Sequence, residues 1–272
     1  MKRAGLFALI LLVGLLVFFV AGYWSGTSPP FRVAAKTAVP AALLLATLAC
    51  RRYERLRGLY RVALGFLAAS CGFLASWLIS DPLLRASGLS TDSVPGIACA
   101  KFFDAVPIVV AAFVVSRLGG NKPADLYLQK GKVKTWLITG MLAFLAFLVL
   151  FLLQTVGQGI EGRTLLAYAP WTALFVFSNA FMEEFHFRGL LLRSAEDLLG
   201  RHLGNVCIAL LFTVVHAPVR YTPDILAFLV VVFVLALAWG VLIQRSEALW
   251  GAVLFHAGAD LMIIMGIYKT YL

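Results

Sequence analysis

Charged residues are scarce in this chain, where Asp, Glu, Lys and Arg together make up 13% of 272 residues. Soluble domains carry about 25%. Hydrophobic residues reach 62%, and the mean hydropathy is +0.93. This composition excludes a soluble globular protein of this size and indicates a membrane protein.

Cysteine is also rare and shows no metal-binding spacing. No two of the four cysteines form a Cys-x-x-Cys pair; they are Cys50, Cys71, Cys99 and Cys207. Free thiols in apolar helices are therefore expected. The chain also lacks a His-Glu-x-x-His motif, which argues against an ordinary zincin but not against every metal site.

The chain contains instead a series of apolar blocks with the length of membrane-spanning helices. They lie at residues 5–24, 32–50, 59–80, 97–116, 136–157, 166–190, 203–217, 224–243 and 249–268. Nine crossings are predicted, or eight if 32–50 or 203–217 is not a full crossing. The predicted fold is all-α, a polytopic transmembrane helical bundle.

Basic residues concentrate in the short loops between these blocks and give a net charge of +10. Loops 51–57 and 117–134 hold many of them, and basic loops remain on the cytoplasmic side of a membrane. We therefore expect a multi-pass protein of the cell (inner) membrane with a cytoplasmic N-terminus. Its partner is the lipid bilayer and not nucleic acid. Lys101 and Asp104, inside an apolar block, are interpreted as a self-neutralising pair.

One apolar stretch is interrupted by four ionisable residues, Glu183, Glu184, His186 and Arg188. A charge in the middle of a bilayer costs about 2.5–3.5 kcal/mol. These side chains are therefore expected to face a protein interior or a hydrated cavity. The alternative is a helix end whose charged side chains reach the lipid headgroups.

Helical geometry divides this stretch into two groups. Asn179, Glu183 and His186 fall within about 60° of arc on one face. Glu184 and Arg188 form an i, i+4 pair with the acid first, which is the favourable order. The pair is interpreted as structural support, and Glu183 is left free for chemistry.

Two further constellations follow on later apolar helices. Phe212 and His216 lie one turn apart, and so do His256 and Asp260. Taken singly, each histidine is also compatible with an ordinary hydrogen bond between helices. Helices of alternating direction could nevertheless bring both constellations to the depth of Glu183, which is a hypothesis of convergence.

These motifs resemble those of the CPBP family of intramembrane proteases, which includes the CAAX prenyl endopeptidases and bacteriocin-processing proteins. The family pattern is Glu-Glu-x-x-x-Arg, Phe-x-x-x-His and His-x-x-x-Asn/Asp on successive apolar helices. It matches Glu183–Arg188, Phe212–His216 and His256–Asp260. The resemblance implies a catalytic helical core at 136–272, preceded at 1–135 by transmembrane helices of unassigned role.

The resemblance also implies a glutamate-dependent protease. Glu183 would be the general base that activates water, and His216 would hold and polarise that water. His256 and the residue at 260 would stabilise the oxyanion. The implied catalytic set is Glu183, His216, His256 and Asp260, with structural support from Glu184, Arg188, Asn179 and Phe212.

Asp260 leaves the mechanism open at one point, since an ionised carboxylate accepts hydrogen bonds but donates none. Either burial keeps Asp260 protonated, or it orients His256 and leaves the donation to that ring. A third alternative is Zn²⁺ held by Glu183, His216, His256 and Asp260, because two histidines with carboxylates form a credible ligand set. No cofactor is favoured.

The favoured function is an intramembrane endopeptidase that cuts the C-terminal or membrane-proximal segment of a membrane-associated protein or peptide. One alternative is a proton- or ion-coupled transporter in which Glu and His form a relay. Another is a non-catalytic immunity or scaffold protein of the same fold. The sequence leaves the substrate open between a prenylated tail, a bacteriocin leader and a sorting tail.

Overall fold

The structure is a computed structural model that describes residues 2–23, 28–218 and 224–271. The described residues contain helices and no strand. The α-helices are α1 (Arg3–Gly14), α2 (Pro29–Arg52), α3 (Tyr60–Ser87), α4 (Val94–Leu118), α5 (Val133–Gly157), α6 (Gly162–Glu184), α7 (Arg193–Leu199), α8 (Arg201–Val215), α9 (Ile225–Ser246) and α10 (Trp250–Tyr271). Leu15–Tyr23 and Phe185–Leu192 are π-helical, and Glu54–Leu59 and Pro123–Leu126 are short 3₁₀ helices.

Within these ranges, eight helical segments are long and apolar enough to cross a membrane. The predicted all-α polytopic bundle is therefore confirmed. Helix α8, at the predicted span 203–217, has 15 residues and is about 22 Å long at 1.5 Å per residue. That is shorter than the hydrocarbon core of about 30 Å. Eight crossings, the alternative count, thus replace nine.

Local sequence signals set the ends of several helices. Ser93 precedes α4, and its hydroxyl accepts a hydrogen bond from the Gly96 amide. Asp224 caps α9 in the same way by accepting from the Ala227 amide. Helix α3 ends at Gly88, whose φ of 69° favours glycine. Polar caps and glycine therefore delimit helices whose interiors are almost wholly apolar.

Small residues allow close helix packing, as is common in membrane bundles. Helix α5 packs on α10 where Gly140 meets Gly251. A Cβ added to Gly140 would lie 2.7 Å from the Gly251 carbonyl oxygen. A Cβ added to Gly258, further along α10, would lie 2.8 Å from Phe144 Cα in α5. The positions of His256 and Asp260 on α10 are thereby fixed by backbone contacts.

The charged stretch lies in a long helical segment that changes its geometry midway. Helix α6 continues into the π-helical turns Phe185–Leu192, all of whose residues are buried, and then into α7. The candidate span covers Gly162–Leu199 and is longer than the predicted 166–190. Irregular π-helical turns are frequent at functional sites. Helix α6 also packs on α4 and α10, so it connects the two halves of the chain.

Candidate active site

The structure brings together Glu183 at the end of α6, His216 at the end of α8 and His256 on α10. Glu183 Oε2 lies 3.6 Å from His256 Nε2 and 3.8 Å from His216 Nε2. Both separations exceed a direct hydrogen bond, and a polar pair at such a distance suits one bridging water. Glu183 Oε2 is buried and has no hydrogen-bond partner in the described ranges. The three groups therefore face a common point.

Glu184 holds two partners at once through one oxygen. Arg188 Nη1 donates to Glu184 Oε1 at 2.9 Å, and His256 Nδ1 lies 2.8 Å from the same oxygen. Glu184 and Arg188 are completely buried, and Arg188 Nη2 also donates to the Ala236 carbonyl. Because a carboxylate accepts, His256 Nδ1 carries the hydrogen. His256 Nε2 consequently faces Glu183.

His216 is oriented by the backbone of its own helix. Its Nδ1 lies 2.8 Å from the Phe212 carbonyl oxygen, which can only accept, so Nδ1 donates. The two rings also pack face to face at a tilt, with centroids 4.3 Å apart. His216 Nε2 is thereby directed towards Glu183. Phe212 supports His216 through both its carbonyl and its ring.

Asp260 is hydrogen-bonded to Asn179 across the interface of α6 and α10. Asn179 Nδ2 donates to Asp260 Oδ2 at 3.0 Å. The other oxygen, Asp260 Oδ1, lies 3.6 Å from His256 Nε2. The carboxylate that is hydrogen-bonded to the His256 ring belongs to Glu184, and the orienting role of Asp260 stays a prediction.

Trp239 of α9 forms a wall of the site that sequence reasoning missed. Its ring stacks on His256 with centroids 4.0 Å apart and an interplanar angle of 9°. The Arg188 guanidinium lies over the rings of Phe212 and Trp239, at 4.6 and 5.4 Å. A single tryptophan in an apolar helix does not predict from the sequence that its ring packs on the site residues.

His186 does not join the site. Its ring packs against Phe18 and Phe73, with centroids 5.6 and 5.0 Å away. Neither ring nitrogen has a hydrogen-bond partner in the part of the chain that the structure describes. The predicted common face with Glu183 is wrong, because π-helical geometry begins at Phe185 and the spacing of 3.6 residues per turn no longer holds.

The site opens into a cavity of about 500 Å³. Its walls are mostly aromatic and aliphatic, and its polar groups include Glu183, Asn179 and Asp260. The N-terminal helices contribute Tyr23 and Lys101, so residues before 136 also shape the site.

Lys101 and Asp104 do not form the expected pair. No ion pair joins them among the described residues, and Asp104 accepts a hydrogen bond from Ser76 at 3.0 Å. Lys101 Nζ lies instead 5.8 Å from the centroid of the Phe175 ring. The lysine belongs to the cavity wall because α4 packs on α6.

No group of three histidine, cysteine or carboxylate side chains in the described ranges has the arrangement of a metal site. The facing atoms of Glu183, His216 and His256 are a carboxylate oxygen and two imidazole nitrogens, which are atom types that bind Zn²⁺. Zn²⁺ therefore stays an untested alternative to the favoured metal-free mechanism.

One known family resembles the region that carries the site. Residues 165–262 match the family model described as type II CAAX prenyl endopeptidase Rce1-like. This segment is similar to the Rce1-like family. The match contains all three motifs, from Glu183 to Asp260, and confirms the resemblance to CPBP proteases. This match supports a CAAX-type intramembrane peptidase, and the eight apolar helical segments support a multi-pass membrane protein. No curated protein and no solved structure matches the chain.

Proposed function

We propose that this protein is an intramembrane endopeptidase in which Glu183 activates the attacking water. The observation that carries the proposal is the position of Glu183 Oε2, within 3.6 and 3.8 Å of two imidazole nitrogens. This oxygen is buried and free of hydrogen bonds from the described residues. A general base must be within reach of the proton that it abstracts, directly or through one water.

The proposed reaction proceeds through a tetrahedral intermediate. Glu183 takes one proton from water as the water oxygen bonds to the carbonyl carbon of the substrate, and the carbonyl oxygen becomes an oxyanion. When the intermediate collapses, the C=O bond re-forms and the C–N bond breaks. The proton held by Glu183 passes to the leaving nitrogen, so the products are an acid and an amine. His216 Nε2 accepts a hydrogen bond from the water and holds it in place.

His256 is the group best placed to respond to charge on the substrate. Glu184 fixes its Nδ1, and Trp239 fixes the plane of its ring. A protonated His256 presents Nε2–H towards the cavity, where it can donate to the oxyanion. Donors fixed before the reaction are effective because they need no reorganisation during it.

The proposed substrate is the C-terminal, membrane-proximal segment of a protein. The cavity of about 500 Å³ has mainly apolar walls, which suit hydrophobic residues next to the scissile bond. The family description points to a segment that follows a prenylated cysteine. Such a peptide is therefore the first probe, followed by a bacteriocin leader and a hydrophobic sorting tail.

The test uses the purified chain in liposomes with a fluorogenic peptide of each kind. Glu183→Gln and His216→Ala should reduce cleavage at least about 10²-fold, the scale of general acid–base catalysis. His202→Ala and Glu54→Gln alter exposed residues outside the cavity and serve as matched controls. Wild-type cleavage by Glu183→Gln would overturn the proposal. Solute flux driven by a pH gradient, without hydrolysis of any probe, would favour the transporter instead.

A further inference from the structure

We propose that Asn179 is a catalytic residue that donates a hydrogen bond to the oxyanion, and that Asp260 is the positioning residue that orients it. The inference rests on the proposed function and names the group that supplies this hydrogen bond. The Asn179 amide on α6 is hydrogen-bonded to the Asp260 carboxylate on α10, 81 residues away in sequence.

Asn179 lies beside the proposed general base. It precedes Glu183 by four residues on α6, so the two side chains occupy the same face one turn apart. Both line the cavity together with Asp260 and His256. Asn179 is 6% exposed, and a polar side chain buried to this degree needs a hydrogen-bond partner. Asn179 therefore places an amide on the cavity wall, one helical turn from Glu183.

Among the residues that the structure describes, one hydrogen-bond donor of this pair has no partner. The Asn179 amide nitrogen carries two hydrogens, and Asp260 Oδ2 accepts one of them at 3.0 Å. Because an ionised carboxylate only accepts, it is the nitrogen and not the oxygen of Asn179 that faces Asp260. The amide is planar, so fixing one N–H also fixes the direction of the other. The second N–H stays available on a residue of the cavity wall.

This arrangement resolves the difficulty that Asp260 posed. An ionised Asp260 cannot donate to an oxyanion, whereas an amide can. In this chain the amide stands at position 179, and the carboxylate at 260 holds it. The oxyanion would then receive hydrogen bonds from Asn179 Nδ2 and His256 Nε2, which approach from α6 and α10.

The expected kinetic effect is specific to the transition state. Removing one oxyanion donor costs about 10²–10³ in kcat. The hydrogen bond forms only as negative charge develops, so KM should change little. A purely structural role would reduce the amount of folded protein or raise KM, and it would leave kcat of the folded fraction intact.

The first experiment compares Asn179→Ala with Asn205→Ala in the liposome assay with the prenylated peptide. Asn205 is the matched control, a buried asparagine whose amide donates to the Leu237 carbonyl outside the cavity. Asn179→Ala should lose about 10²–10³ in kcat at nearly unchanged KM, and Asn205→Ala should not. If Asn179→Ala fails to fold, Asn179→Gln keeps an amide but displaces it by one methylene, and kcat should again fall. Wild-type kcat in a folded Asn179 variant would overturn the inference.

The second experiment tests the positioning role of Asp260 by a double-mutant cycle. Asp260→Ala should lower kcat, and the double variant Asn179→Ala/Asp260→Ala should lose little more than Asn179→Ala alone, because residues that act as a unit are not additive. Additive losses would contradict the pairing. Glu183→Gln in the same assay distinguishes a failure of the Asn179 inference from a failure of the proposed function. If it abolishes cleavage while Asn179→Ala does not, only this inference fails; if it cleaves like the wild type, the proposed function fails.

Discussion

The buried ion pair Glu184–Arg188 predicts that stability and activity can be separated by mutation. Glu184→Gln preserves the shape of the side chain but leaves the Arg188 guanidinium without its anion. Both side chains are fully buried, and breaking such a pair costs about 3–5 kcal/mol. The Ala236 carbonyl and the rings of Phe212 and Trp239 still contact Arg188. We therefore expect the lower end of that range.

Removing the cation as well should restore stability. In Glu184→Gln/Arg188→Met neither position carries a charge, and exchanging a buried pair for uncharged groups is often neutral. Activity should not return, because His256 Nδ1 then faces a neutral amide oxygen in place of a carboxylate. The double variant should thus be folded and stable but slow.

The measurement combines equilibrium unfolding in mixed micelles with peptide cleavage in liposomes. Lys132→Met, which removes an exposed ion pair with Glu247, is the control and should change stability by less than about 1 kcal/mol. A Glu184→Gln protein as stable as the wild type would refute the reasoning. So would a double variant that recovers full cleavage.

Three further predictions concern the aromatic wall, metal dependence and alkaline pH. Trp239→Leu should be less stable than Trp239→Phe in equilibrium unfolding, because ring stacking on His256 is worth about 0.5–1.5 kcal/mol; the reverse order would contradict the contact. EDTA or 1,10-phenanthroline should leave the cleavage rate unchanged if Glu183 acts without a metal, and a loss that Zn²⁺ restores would refute this. Burial and the neighbouring Glu196 raise the pKa of the Tyr127 hydroxyl. As pH rises above about 10, the unfolded chain therefore loses the Tyr127 proton before the folded protein does, and the free energy of unfolding should fall. Unfolding of Tyr127→Phe should lack this part of the pH dependence, and equal slopes in the two proteins would contradict the assignment.

The sequence predicts the membrane bundle well because burial in lipid imposes one simple rule on composition. Spans of about 20 apolar residues stand out wherever the helix is regular. Helix α8 was wrongly counted as a crossing, because an apolar block does not show whether its helix spans the bilayer or ends inside the bundle. The family motifs indicated Glu183, His216 and His256 as site residues. Ionisable side chains are costly inside a membrane and therefore mark functional sites.

The remaining features depend on geometry that no local pattern encodes. His186 shares an ideal helical face with Glu183, but the π-helical turns after Glu184 redirect it to Phe18 and Phe73. The contact between Glu184 and His256 joins residues 72 positions apart. Such contacts follow from the packing of α10 on α6. Small residues permit this packing, but they do not predict which side chains it brings together.

Activation of water by Glu183 is tested most directly by cleavage with the purified, reconstituted chain in H₂¹⁸O, followed by mass spectrometry of both product peptides. We expect one ¹⁸O atom in the new carboxyl group, formed by the wild-type protein and not by Glu183→Gln at equal amounts of folded protein. Labelled product formed by Glu183→Gln at the wild-type rate would contradict it.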